Sequence, residues 1–165
     1  MKYPIVSAIL ITICGLVFIA VAQQQSGVPD GWTKISVCHL SFFAPPDMKD
    51  LGAKGIDSCV AEYANNDITV SLDYGRYGSP PRRSNSYLEF KEQSVLIDGK
   101  NAQLATFVDA SHKNSGLKYA TWMYVVVKES ETDELPKTIS LMMWVRSESQ
   151  KAQEIAQRIL RTIHF

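Results

Sequence analysis

From residue 68 the chain alternates, with Ile68, Val70, Leu72 and Tyr74 on one parity and Thr69, Ser71 and Asp73 on the other. A period of two places the first set on one face of a strand and the second on its reverse, so one side is buried and the other wet. Cys59 to Tyr63 precedes this run, and Asn65-Asn66 between them tolerates positive φ, which predicts a hairpin. Asp98-Gly99 is a sharper signal of the same kind, set between Val95-Leu96-Ile97 and Ala102 to Val108; it predicts a two-residue type I′ turn and a second hairpin. Tyr119 to Val127 and Ile139 to Val145 form a third, joined by an acidic stretch with Glu129, Glu131, Asp133, Glu134 and Pro136. In the first of these strands both parities are apolar, Trp122, Tyr124 and Val126 against Met123, Val125 and Val127. That pattern predicts a central strand covered on both faces, by a helix on one and by loops or a helix on the other.

Two further stretches complete the pattern. Ile35 to Ala44 reads as a single β-rich run stopped by Pro45-Pro46, and Asp47 to Ile56, with Gly52, Gly55 and several charges, reads as a surface connection. At the far end the period changes. Ala152, Ile155, Ala156, Ile159, Leu160 and Ile163 recur at three and four, and Ser147 with Gln150 has capping-box spacing. An amphipathic C-terminal helix of about four turns, packed on the sheet, is expected.

The N-terminus sets the compartment. Lys2 is the only charge before Asp30, and Ile5 to Ala22 is almost wholly apolar. Ala20-Val21-Ala22 followed by Gln23-Gln24-Gln25 is a small-x-small pattern before a polar stretch, so residues 1–22 read as a signal peptide cleaved after Ala22. The rival reading is an uncleaved anchor, because the run reaches the lower limit of about 17 residues for spanning a bilayer; membrane contact is expected only in that case. Cys14 sits behind Ile13, whereas a lipid-attachment signal needs a small residue just before the cysteine, so Cys14 leaves with the leader. Residues 23–31, with Gly27, Pro29 and Gly31, form a polar tether, and 32–165 form one domain. The expected location is periplasmic or secreted.

Composition narrows the partners. The 165 residues carry 17 Lys+Arg against 17 Asp+Glu, and 45% are hydrophobic. Such a neutral globular chain lacks the clustered basic field that nucleic-acid binding requires, and nucleic acid is not an expected partner. Cys38 and Cys59 remain after the leader is removed. In an oxidising compartment that even count favours a disulfide, closing a loop of about 20 residues and stabilising by on the order of 3 kcal/mol. Two buried thiols are the other reading. No C-x-x-C pair is present to make a redox centre.

Phe42-Phe43-Ala44-Pro45-Pro46, Gly55-Ile56-Asp57-Ser58, Asp73-Tyr74-Gly75 with Tyr77, Ile97-Asp98-Gly99 before Ala102, and the closing Ile159 to Phe165 resemble a set of exported bacterial proteins of unassigned role with a PsbP-like fold. The resemblance spans nearly the whole domain and rests on turns and strand ends. It implies an α+β fold: an antiparallel sheet flanked by helices on its faces, an α/β/α sandwich, used as a binding or assembly module without catalysis.

Chemistry-bearing residues are sparse. His39, His112 and His164 lie far apart without the spacing of a metal site, and neither metal nor cofactor is expected. Asp57-Ser58 has no nucleophile elbow around it and reads as a turn before a strand; Asn65, Asn66 and Asp67 lack the rest of a calcium loop and read likewise. Gly75 to Tyr87 stands out. Arg76, Arg82 and Arg83 lie beside Tyr74, Tyr77 and Tyr87, with Gly78, Pro80 and Pro81 limiting the segment's freedom. Arg and Tyr dominate contact energetics, which makes these six residues the candidate partner-binding loop; a merely solvated loop is the plainer reading. The function expected is a non-enzymatic binding or assembly module of the periplasm or cell envelope, its partner a protein or other envelope component. The alternatives are a toxin-neutralising (immunity) or secretion-accessory protein, and a hydrolase in which Asp73 or Asp57 meets His39 or His112 in three dimensions.

Overall fold

Cys38 and His39 both adopt left-handed backbone angles, φ 52° and 64°, and fold the β-rich run from Ile35 to Ala44 back on itself. In the computed structural model, which describes residues 27–112, 116–128 and 138–165, β1 (Thr33–Val37) and β2 (Leu40–Ala44) form a separate antiparallel hairpin, with Val37 paired to Leu40 across the turn. Neither turn residue is the Gly or Asn that usually accepts positive φ. What holds the turn is covalent: Cys38 is bridged to Cys59, with Cα atoms 5.6 Å apart. The expected disulfide is therefore present.

The other strands form one antiparallel sheet in the order β3-β4-β5-β9-β8-β7-β6. They are β3 (Lys49–Asp50), β4 (Cys59–Ala64), β5 (Ile68–Gly75), β6 (Tyr87–Ile97), β7 (Lys100–Asp109), β8 (Tyr119–Lys128) and β9 (Ile139–Ser147). All three expected hairpins are there: β4 pairs with β5, β6 with β7 and β8 with β9. At the β6–β7 turn Asp98 and Gly99 both have positive φ, 48° and 75°, as a type I′ turn requires. β3 is a two-residue strand inside the stretch expected as connection. The leader, Cys14, residues 23–26 of the tether and the acidic segment from Glu129 to Pro136 lie outside the described residues.

Register divides the sheet into two faces. Val70, Leu72, Met123, Val125, Leu141, Met143 and Val145 point to one side and are at most 2% exposed. Against them lies α1 (Gln150–Arg161), which buries Ala152, Ala156, Ile159 and Leu160, with Phe42 of β2 in the same core. The helix cap is Ser149, whose hydroxyl accepts from the Ala152 N–H at 3.1 Å. Ser147, expected as the cap, is instead the buried last residue of β9 and donates to the Tyr119 carbonyl at 3.3 Å. The helix is 12 residues, somewhat shorter than the four turns expected. It ends where Thr162 donates its hydroxyl to the Ile159 carbonyl at 2.7 Å and accepts from Phe43 N–H at 2.8 Å, tying the helix end to β2.

The α/β/α sandwich is not what forms. The architecture is mostly β, with a single α-helix among the described residues, on one face of the seven-stranded sheet. The reason lies in the second parity of β8 and β9. Trp122 and Trp144 face each other across the strands with ring centroids 4.7 Å apart, and Trp144 is met edge-on by Phe107 at 5.7 Å. Tyr87 stacks on Phe107 at 4.0 Å. Rings this large cover one another, so the reverse face needs no second helix.

Candidate contact surface

β5 ends at Gly75 and β6 begins at Tyr87; between them residues 76–86 form neither helix nor strand. The loop comes close to the helix-free face at Gly78. A Cβ added at Gly78 would stand 2.5 Å from the Ser140 hydroxyl and 3.4 Å from the Tyr124 ring, so a larger residue here would force the Ser140 hydroxyl to move. Pro81 is buried. Elsewhere on the loop, Arg76, Arg82 and Arg83 are exposed and Tyr77 is 72% exposed.

The six expected site residues do not form one patch. Arg76, Tyr77, Arg82 and Arg83 are each exposed on the loop. Tyr74 belongs to the opposite face of the sheet, partly buried against the main core with its ring 6.3 Å from that of His39. Tyr87 is committed to the aromatic layer through its stack on Phe107. Its spacing from the arginines in sequence gave no warning of that, because the stack joins two strands.

Next to the layer stands a polar cluster that the sequence reading missed. Asp109, 3% exposed at the end of β7, accepts at Oδ1 from the Ser111 backbone N–H at 3.0 Å and from the Ser111 hydroxyl. Its Oδ2 lies 3.1 Å from His112 Nδ1 and 3.6 Å from Arg146 Nη2. Burial works against the charged carboxylate, but the Ser111 hydrogen bonds, with the His112 and Arg146 charges, outweigh it and hold Asp109 below the usual carboxylate range. Arg146 in turn lies over the Trp144 ring, 5.3 Å from its centroid. The string Asp109-Ala110-Ser111-His112 was the available signal: an Asp whose side chain bonds the backbone two residues on is a turn former.

Serine, histidine and aspartate in contact invite comparison with a hydrolytic triad. Such a relay places the carboxylate on one ring nitrogen and the hydroxyl on the other. Here Asp109 Oδ2 and Ser111 Oγ, the latter at 3.0 Å, both meet Nδ1, and the Ser111 proton goes to the carboxylate. This geometry orders a turn. The pairs considered for a hydrolase are placed differently: Asp57 and His39 are exposed, Asp73 lies on the helix-free face, and the carboxylate beside His112 is Asp109. His164 pairs with Asp98 at 2.9 Å, which also accepts from the Phe165 N–H at 2.9 Å. That backbone bond, opposed by partial burial and helped by the His164 and Lys100 charges, keeps Asp98 low.

Among the described residues, four polar atoms on the helix-free face have no hydrogen-bond partner although they are out of solvent: Asp73 Oδ1, Trp122 Nε1, Trp144 Nε1 and Arg146 Nη1. Each is unfavourable by about 1–3 kcal/mol relative to a paired group. Among the described residues no group of three or more His, Cys, Asp or Glu side chains could hold a metal, and no helix is long and apolar enough to cross a membrane. No family model matches the chain, and neither does any curated protein.

Proposed function

We propose that this protein is an exported binding module of the cell envelope that holds a protein partner through the 76–86 loop. One observation carries the reading: Arg76, Tyr77, Arg82 and Arg83 stand exposed on a loop that approaches β8 and β9 closely at Gly78 and buries Pro81. A loop packed in this way loses little entropy on binding, and exposed Arg and Tyr supply planar surface with polar ends. Three arginines on one short segment favour an acidic patch on the partner. The Cys38–Cys59 bridge is compatible with an oxidising, exported location. Cleavage of residues 1–22 belongs to the same proposal. The test is replacement of Arg82 and Arg83 together by Ala, followed by affinity capture from the native envelope. Retention of the main co-purifying protein should fall about tenfold, the effect of losing roughly 1.4 kcal/mol, with the melting temperature unchanged. Equal retention by the variant would remove the loop from the account.

A further inference from the structure

Among the described residues the seven-stranded sheet ends at β3 and β6, and these two edges are built differently. β3 is two charged residues, Lys49 and Asp50, too short to template another strand. β6 is 11 residues long. Its first half carries the usual protections: a bulge between Leu88 and Lys91, with Glu89 at φ 55°, and the charges of Lys91 and Glu92. Its second half, Gln93-Ser94-Val95-Leu96-Ile97, has no charge, no proline and no bulge, and Leu96 is 65% exposed.

The turn fixes which backbone groups look outward. A two-residue hairpin closes on a hydrogen-bonded pair, here Ile97 with Lys100, and such pairs alternate along the ladder. Val95, Gln93 and Lys91 therefore spend their N–H and C=O groups on β7. Glu92, Ser94 and Leu96 direct theirs away from the sheet. On the helix side of this edge, a cleft of about 310 Å³ separates β6 from α1, with Lys91, Glu92, Gln93, Gln150, Glu154 and Gln157 among its walls. Gln153 already shows what this lining does, donating to the Ala120 carbonyl at 2.7 Å.

We infer that β6 is a strand-addition site for an extended segment of a partner protein, running antiparallel to Glu92–Leu96. A second copy of this chain is a poor occupant. Pairing Ser94 with its own copy sets Glu92 against Leu96 twice; shifting one way opposes Glu92 to Asp98 or, centred on Leu96, leaves only Val95 to Ile97 paired before the turn residue Asp98, while shifting the other way opposes Glu92 to Glu92 or sets Lys91 against Val95. A foreign strand meets neither problem when it carries an apolar residue opposite Leu96, a small one opposite Ser94 and a basic one opposite Glu92. Written from its N-terminus, that segment reads apolar-x-small-x-basic, and the side chain opposite Gln93 points toward the polar cleft lined by glutamines, Lys91, Glu92 and Glu154. The test does not depend on the 76–86 loop.

The test uses the full chain, isotope-labelled, against an array of end-blocked nonapeptides carrying the apolar-x-small-x-basic pattern and their scrambled counterparts. Patterned peptides should bind saturably, with amide shifts confined to β6 and the facing side of α1 and cross-strand contacts to Glu92, Ser94 and Leu96. Ser94→Pro removes an outward N–H without touching the ladder to β7 and should weaken binding by at least about tenfold, while Ser94→Thr retains it. Should the proline variant fail to fold, N-methylation of the peptide at the residue opposite Ser94 serves as the same deletion from the other side. Equal binding of scrambled peptides, shifts away from β6, indifference to N-methylation, or concentration-dependent dimerisation through β6 would each overturn the inference.

Discussion

Breaking the Cys38–Cys59 bridge has a calculable effect. The bonded residues are 21 apart in sequence. For a closed loop of that length the chain-entropy relation gives about 11 cal/mol/K, or about 3 kcal/mol at 25 °C. A second loss is local to the hairpin: Cys38 and His39 sit at φ 52° and 64°, a conformation non-glycine residues resist, and the bridge is what ties that turn to β4. The Cys38→Ser, Cys59→Ser double variant should therefore unfold at lower urea concentration by an amount worth about 3 kcal/mol. Its melting temperature should fall by roughly 10 °C for a domain of this size. Adding reductant to the wild type should reproduce the shift, since Cys59 lies at an exposed position. Amide exchange should speed up first in β1 and β2, which form a sheet of their own. A double variant within about 0.5 kcal/mol of wild type, a difference ordinary for surface substitutions, would refute both the entropic argument and the role given to the turn.

Three other outcomes follow from named contacts. Phe107→Ala removes a ring that is 2% exposed and touches Tyr87, Phe90 and Trp144; it should lower unfolding free energy by about 3–5 kcal/mol in urea titration. Asp109 has its folded pKa held below the ordinary value of 3.8, so its contribution is complete above that value and is lost as pH falls through it toward the folded pKa. Asp109→Asn should then be less stable than wild type at pH 7 by about 1–3 kcal/mol, with the gap narrowing in acid; melting curves between pH 2 and 7 would show it. Ser149→Ala should cost about 1 kcal/mol and raise exchange in the first turn of α1.

Which parts of the fold were legible depends on how local their causes are. Asp98-Gly99 and the alternation from Ile68 to Tyr74 specify backbone geometry within a few residues, and both appear in the structure as read. The turn at Cys38-His39 was invisible because a distant cysteine enforces it. The cap moved from Ser147 to Ser149 because Ser147 was taken up by the β8–β9 ladder, where it pairs with Tyr119. The absence of a second helix layer among the described residues has the same origin: two apolar parities state that both faces are covered, but Tyr87, Phe107, Trp122 and Trp144 cover one face by meeting from four different strands. Of the contact loop, the exposed arginines and Tyr77 were legible as types, whereas the withdrawal of Tyr74 and Tyr87 depended on which strand each one ends or begins.

The claim that the 76–86 loop is the contact surface is tested most directly by placing a photo-crosslinking side chain at position 83 of the loop and, separately, at the exposed position 151 on α1, then illuminating the protein in its own envelope. A discrete adduct is expected from position 83 and none from position 151. No adduct from 83, or the same adduct in equal yield from both, would contradict it.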